Sequence, residues 1–183
     1  VLNAFSFWGK EALLKFNGMF AFVVYDRKKK ILFMARDRYG VKPVYYAVQG
    51  NHFSFGSEQK AITAAKNFEQ ALNKKALIEY FTFQNIFTDQ TLLEDIKILP
   101  PGHFIEVNAV NGKILKQKYW DYKFSEPRVK FDVREYKEEL DRLFLQAVNR
   151  QLVSDVELGS YLSGGMDSGS ITAIASKNIN NLK

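Results

Sequence analysis

From Val1 to Phe16 the apolar residues Leu2, Phe5, Trp8, Ala12, Leu13 and Phe16 return every three or four positions. That is the period of a helix with one buried face, and Gly9 interrupts it. Asn17-Gly18 ends the stretch, as a glycine just past a helix commonly does. The pattern then shortens to strand period over Met19–Asp26, Ile31–Asp37, Val44–Val48 and His52–Ser57. Joined by Arg27–Lys30, Arg38–Pro43 and Gln49-Gly50-Asn51, these four segments predict an antiparallel meander. Met19–Tyr25 is apolar on both faces, as a strand between two layers must be.

A helix is expected from Glu58 to Ala65 with Ser57 as N-cap. Another is expected over residues 73–87, with Leu77, Tyr80, Phe81 and Gln84 on one side. Pro100-Pro101-Gly102 marks a turn before His103–Val107 and Ile114–Tyr119, a hairpin about Asn111-Gly112. Trp120 to Lys130 is irregular, contains Pro127, and reads as a linker. A long helix follows from Val133 to Leu152, with Tyr136, Leu140, Leu143, Phe144, Ala147, Val148 and Leu152 on its apolar face. A short strand, Glu157–Leu162, a glycine turn and a helix from Ser168 to Lys177 close the pattern. The order predicts an α+β domain followed by the start of an α/β domain, with boundaries at 1–122, a linker at 123–132, and 133–183.

Composition narrows the chemistry. The 183 residues include no Cys and two His, which removes disulfides, thiolate metal sites, a Cys nucleophile and any multi-His metal centre from this stretch. Sixteen Phe and nine Tyr supply ample core. No apolar run approaches the roughly 18 residues of a membrane span, so a soluble, cytoplasmic protein is expected. The net charge of +6 raises nucleic acid as a partner. Yet its one dense cluster, Arg27-Lys28-Lys29-Lys30, sits where a hairpin turn meets solvent. Phe53-Ser54-Phe55 and Phe81-Thr82-Phe83 alternate as base-stacking residues would, but also as a half-buried strand does. The solvated-surface reading is preferred to a nucleic-acid partner.

The densest chemistry lies in Leu162-Ser163-Gly164-Gly165-Met166-Asp167-Ser168, between a strand and a helix. Paired glycines let the backbone turn and bring its amides close to a ligand. Ser163 and Ser168 add hydroxyls, and the helix N-terminus adds unpaired amides and partial positive charge. The combination is an anion cradle, most often for phosphate. Asp167 suits it only if Mg²⁺ accompanies the phosphate. No Gly-x-x-x-x-Gly-Lys-Ser/Thr and no Gly-x-Gly-x-x-Gly occurs, and Gly165-Met166-Asp167-Ser168-Gly169 misses the spacing of a nucleophile elbow. A bare pair of glycines would be read as a simple turn; the serines and the aspartate move the reading to phosphate.

Ser-Gly-Gly-x-Asp-Ser after an apolar strand resembles the pyrophosphate loop of the ATP pyrophosphatases. The wider chain resembles glutamine-hydrolysing asparagine synthetases. The likeness runs through Asn17-Gly18-Met19-Phe20-Ala21-Phe22, Ala35-Arg36-Asp37-Arg38-Tyr39-Gly40-Val41-Lys42-Pro43 and Tyr45-Tyr46. It continues through Ser57-Glu58-Gln59-Lys60-Ala61-Ile62, Leu99-Pro100-Pro101-Gly102-His103 and Ser154-Asp155-Val156. The resemblance implies the C-terminal part of an Ntn-hydrolase-type αββα glutaminase (class II amidotransferase) domain. After it would come the first strand–loop–helix of a doubly wound ATP-pyrophosphatase domain. The implied substrates are glutamine, aspartate and ATP, with Mg²⁺ as cofactor, no membrane or specific nucleic-acid partner, and a homodimer as one assembly.

By the same resemblance Leu162 faces the nucleotide, Ser163, Gly164, Gly165 and Ser168 hold pyrophosphate, and Asp167 holds Mg²⁺. Gly169 stands where a second Ser is common, and Glu157 where Pro is common. The family's N-terminal Cys, glutamine-binding Arg and Asn-Gly oxyanion segment have no counterpart here, so no catalytic residue is assigned. The expectation is an internal fragment, inactive in isolation. Arg36, Asp37 and Arg38 are read as an ion-paired structural loop, His52 and His103 as structural, and Glu58 as a first-turn helix residue. A sister amidotransferase acting on a sugar acid or closing a β-lactam, and a non-catalytic scaffold, remain alternatives.

Overall fold

The computed structural model describes residues 1–65, 68–126 and 132–183, and divides into two compact units, Val1–Lys123 and Phe124–Lys183. Among the described residues no helix is long and apolar enough to cross a membrane.

The first unit opens with α1 (Leu2–Trp8) and α2 (Ala12–Lys15), joined by a 3-10 turn at Gly9–Glu11, where the sequence places its break. Then come β1 (Ala21–Asp26), β2 (Ile31–Arg36), β3 (Tyr45–Gln49) and β4 (His52–Gly56). After α3 (Gln59–Thr63) and α4 (Lys74–Phe83) follow β5 (Ile96–Ile98), β6 (His103–Asn108) and β7 (Ile114–Lys118). The four early strands do not form one meander. They divide between two antiparallel sheets, β1-β2-β6-β7 and β4-β3-β5. In the first, Ala21 lies opposite Arg36, Leu32 opposite Val107, and Val107 opposite Ile114.

The layering follows from alternation along β2, whose successive side chains point to opposite faces. Leu32 and Met34 join Val44, Tyr46, Leu99 and Ile105 in a core between the two sheets. Phe33 and Ala35 turn the other way, joining Phe104 and Leu13 of α2 in a Phe-rich core with Phe5, Phe16, Phe20 and Phe22. Beneath α3, Ile62 packs on Ala47 and Ile96 of the second sheet. The unit is thus helix, sheet, sheet, helix, and β1 between two layers explains why Met19–Tyr25 reads as apolar on both faces.

The crossing from one sheet to the other is pinned by Arg36–Pro43. Asp37 is 1% exposed, and its carboxylate accepts four backbone N–H groups. Phe20 and Lys42 donate to Oδ2 at 3.2 and 3.0 Å, and Tyr39 and Val41 to Oδ1 at 3.1 and 3.0 Å. Burial pushes this carboxyl upward, but the four amide bonds outweigh it and hold its pKa below the usual value. Arg36 donates to the carbonyls of Lys42 (2.9 Å), Leu99 (2.6 Å) and Gly40 (2.6 Å). Burial lowers its pKa, with Asp37 and Tyr45 opposing. Arg38 donates to Phe16 and Leu14. The loop is therefore structural, as expected, but backbone groups rather than ion pairs hold it. Gly40 has φ +66, and a Cβ there would lie 2.8 Å from Pro101 Cγ and 2.9 Å from Arg36 Cζ, so only glycine fits. The Tyr119 hydroxyl donates to the Arg36 carbonyl at 2.8 Å, and burial pushes its pKa up to about 12.

Several local expectations need correction. Ser57 does not cap α3; Glu58 occupies the N-cap without a side-chain cap bond, and its carboxylate pairs with Lys60 at 2.7 Å. The helix expected from residue 73 forms as α4, with Asn73 as N-cap accepting from Ala76 N–H, but it stops at Phe83 rather than residue 87. Gln84 turns left-handed (φ +54), and Glu79 reaches forward to accept from Phe87 N–H at 2.8 Å. The buried residue of α4 is Ala76, while Tyr80 and Phe81 of the expected face are exposed, Phe81 at 76%. The left-handed Gln84 costs about 1 kcal/mol relative to glycine. Gln84→Gly is expected to recover about that much, read as a raised urea midpoint with an unchanged slope.

The cationic run Arg27–Lys30 is the β1–β2 turn; the Asp26 carboxylate accepts from Lys28 and Lys29 N–H, each at 2.9 Å. Phe53 stacks on Tyr46 in the inter-sheet core. His103 Nδ1 lies 2.7 Å from the Pro101 carbonyl, a structural contact. The expected linker is irregular over 121–126, and Pro127 lies outside the described residues.

Candidate functional site

The second unit contains α5 (Val133–Gln151) and α6 (Met166–Asn178). Asp132 caps α5 by accepting from Arg134 N–H. The two helices are tied by Asn178 Nδ2 donating to Asn149 Oδ1 at 3.0 Å, with Val148 and Ala175 buried. Tyr136, Leu140 and Leu143 of the expected apolar face are exposed within this unit.

Residues 157–162 are not a strand, which corrects the expectation. A strand requires a continuous hydrogen-bonded neighbour. Among the described residues there is a single link: Ser160 N–H donates to Lys183 O at 2.6 Å, and Lys183 N–H donates to Leu158 O at 3.1 Å. One residue bonded to positions on both sides of its opposite number is the pattern of a parallel pair, reached by way of α6. Ser160 Oγ also meets Thr172 Oγ1 of α6 at 2.6 Å. That tie, 12 residues apart, leaves no periodic trace in the sequence.

α6 starts at Met166, two residues before the expected Ser168, because Gly165 takes an extended N-cap conformation (φ −80, ψ 159). Asp167 and Ser168 therefore belong to the first turn of the helix rather than to the loop. Gly164 has φ +83, the left-handed region that favours glycine, and makes the turn. Ser168 Oγ is the hub: it donates to Gly165 O at 3.1 Å, accepts from Ser163 N–H at 3.3 Å, and shares a hydrogen bond of 3.0 Å with Ser163 Oγ. A Cβ on Gly165 would lie 3.6 Å from Ser163 Oγ and 4.0 Å from Ser168 Oγ, so the missing side chain keeps the space before the two hydroxyls open. The first amides of α6 have no partner within the helix and carry its positive end.

Three of the six expected site residues, Ser163, Gly165 and Ser168, are thus brought together by hydrogen bonds, at the turn that Gly164 makes. Asp167 sits on the adjoining turn, exposed, with no hydrogen bond or ion pair among the described residues. Leu162 is 66% exposed and precedes the turn. Chemically the arrangement fits a phosphate group. Two hydroxyls and the first amides of α6 can donate to it, and Mg²⁺ is ordinarily held through one or two carboxylates plus phosphate oxygens, which one carboxylate beside the cradle can serve.

Comparison with known proteins adds to this geometry. A family model described as asparagine synthase matches residues 139–183. Asparagine synthetase (glutamine-hydrolyzing) 3 of Bacillus subtilis is 38% identical over 176 residues, covering 96% of this chain and 28% of the relative. A putative asparagine synthetase (glutamine-hydrolyzing) 2 of Methanocaldococcus jannaschii is 34% identical, covering 95% of this chain and 34% of the relative. A protein named amidase chry2 from Gibberella zeae is 31% identical over 180 residues, covering 96% and 26%. The chain thus spans about a third or less of the length of these relatives. Over residues 1–120, the unit built of two antiparallel sheets, a family model for the glutamine amidotransferase domain matches, and the chain belongs to that family.

Proposed function

We propose that the full-length protein is a glutamine-hydrolysing asparagine synthetase, converting aspartate, ATP, glutamine and water to asparagine, AMP, pyrophosphate and glutamate. The observation that carries the reading is the Ser163–Ser168 cradle on a chain whose two segments match, in order, a glutamine amidotransferase and an asparagine synthase family. Residues 1–122 are then the C-terminal part of the glutaminase domain, and 133–183 the start of the synthetase domain. The helix–sheet–sheet–helix layering of the first unit supports an Ntn-hydrolase-type glutaminase fold. The single parallel link at Lys183 supports the start of a doubly wound sheet.

In this reading the aspartate side-chain carboxylate attacks the α-phosphorus of ATP and pyrophosphate leaves, after which ammonia displaces AMP. Negative charge grows on the leaving group, which the amides at the start of α6 would meet together with the hydroxyls of Ser163 and Ser168. Their orientation costs no reorganisation during the step, except that the Ser163–Ser168 hydroxyl pair must redirect its donors outward. Leu162 would border the nucleotide. Asp167 would hold Mg²⁺, which when bound offsets phosphate charge.

A second reading is favoured by the relative named amidase chry2: a sister amidotransferase using the same plan on another carboxylate. Product analysis of the full-length protein with Mg-ATP and ammonia separates them. Asparagine and AMP rising together with aspartate support the synthetase. AMP release with a different carboxylate and none with aspartate supports the sister enzyme.

A further inference from the structure

Two Asn-Gly pairs occur in the chain, Asn17-Gly18 and Asn111-Gly112, and the fold treats them differently. We infer that Asn17 is a site of spontaneous deamidation selected by the fold, whereas Asn111 is protected. Asn-Gly is the dipeptide most open to this chemistry because glycine has no side chain to shield its amide nitrogen from the neighbouring carboxamide.

In the β6–β7 turn both reacting groups are held. Gly112 N–H donates to Asn108 O at 2.8 Å, and Asn111 Oδ1 accepts from Lys113 N–H at 3.0 Å. Asn111 N–H is fixed as well, on Asn108 Oδ1 at 3.2 Å. At the other site Asn17 and Gly18 are exposed, and among the described residues neither the Asn17 side chain nor Gly18 N–H makes a hydrogen bond. Gly18, at φ +151, sits in backbone space that favours glycine.

The step uses only water. Gly18 N attacks Asn17 Cγ, the new C–N bond closes a succinimide, the Cγ–NH2 bond breaks, and the amide proton leaves with the nitrogen as ammonia. Water then opens the ring at either carbonyl, giving aspartate or isoaspartate. Isoaspartate lengthens the backbone by one methylene between two fixed points. On one side Arg38 grips the carbonyls of Leu14 and Phe16. On the other, Phe20 O accepts from Asp37 N–H at 2.8 Å and Phe20 N–H donates to the Asp37 carboxylate at 3.2 Å. The product therefore loosens the Asp37 loop and the entry to β1.

The test ages the full-length protein in mildly alkaline buffer, with peptide mapping by mass spectrometry and fragmentation that tells isoaspartate from aspartate. Breaking two hydrogen bonds before reaction slows Asn111 by about tenfold, the factor equivalent to about 1.4 kcal/mol. Asn17 is thus expected to convert about tenfold faster than Asn111 in the folded protein. In protein unfolded by urea both should convert at one rate. Equal rates in the folded protein, or Asn111 ahead, would overturn the inference. Asn17→Ser should abolish the fast phase with circular dichroism unchanged. Protein carrying isoaspartate at position 17 should unfold at lower urea than Asn17→Asp, which gains the charge without the methylene; equal midpoints would remove the structural consequence.

Discussion

Asp37→Asn is expected to destabilise the first unit by about 3 kcal/mol, a large fraction of a typical domain's stability. The substitution looks conservative and is not. Each carboxylate oxygen accepts two backbone N–H groups, Phe20 and Lys42 on one, Tyr39 and Val41 on the other. An amide nitrogen in either place sets a donor against two donors, leaving buried N–H groups unsatisfied whichever way the side chain is flipped. Urea unfolding followed by the near-ultraviolet signal of the Phe- and Tyr-rich cores checks the size of the loss. The pH dependence carries the same signature. Asp37 has its pKa lowered in the fold, so its contribution is complete above the unfolded-state value of 3.8 and is lost as pH falls through the lower folded value. The wild-type protein should lose stability steeply below about pH 4, and Asp37→Asn should lose less over that interval because it has less to lose.

Gly165→Val is expected to lower ammonia-dependent AMP formation by the full-length protein about a hundredfold or more, while leaving its fold intact. The backbone at Gly165 (φ −80, ψ 159) is open to any residue, and a Cβ there makes ordinary contacts at 3.6 and 4.0 Å. Folding should therefore be spared. The added methyls would occupy the space in front of Ser163 Oγ and Ser168 Oγ, where the leaving pyrophosphate must lie. Gly164 offers no such clean test, since its φ of +83 would strain any substitution whether or not the loop binds phosphate. Steady-state rates with ammonia as nitrogen donor, alongside unfolding curves for the same variant, separate the two effects. Activity near wild type with a well-folded Gly165→Val would remove the cradle from the mechanism.

What the sequence made legible follows from what local pattern can carry. The break at Gly9, the β1–β2 turn and the long α5 each depend on residues within one or two turns of each other, and each is where the pattern puts it. The turn that brings Ser163, Gly165 and Ser168 together is legible because these residues lie within six positions. Sheet membership was not. Nothing in Tyr45–Gln49 says that it pairs with Ile96–Ile98 rather than with β2, and a three-residue strand is too short to show any period. The charges of Arg36, Asp37 and Arg38 suggested mutual pairing, whereas their partners are backbone groups brought close only by the closed loop. The exposure of the Phe81 ring is not legible for a related reason: apolar periodicity marks a face but does not say that anything within this unit covers it.

The central claim is that Ser163 to Ser168 holds the pyrophosphate end of ATP, and backbone hydrogen exchange of the full-length protein tests it most directly. Peptides spanning Tyr161 to Ser170 should gain protection when Mg-ATP or Mg-pyrophosphate is added and remain unchanged with AMP, because the amides at the start of α6 have no other partner. Protection by AMP equal to that by ATP, or none with either ATP or pyrophosphate while ATP demonstrably binds, would contradict it.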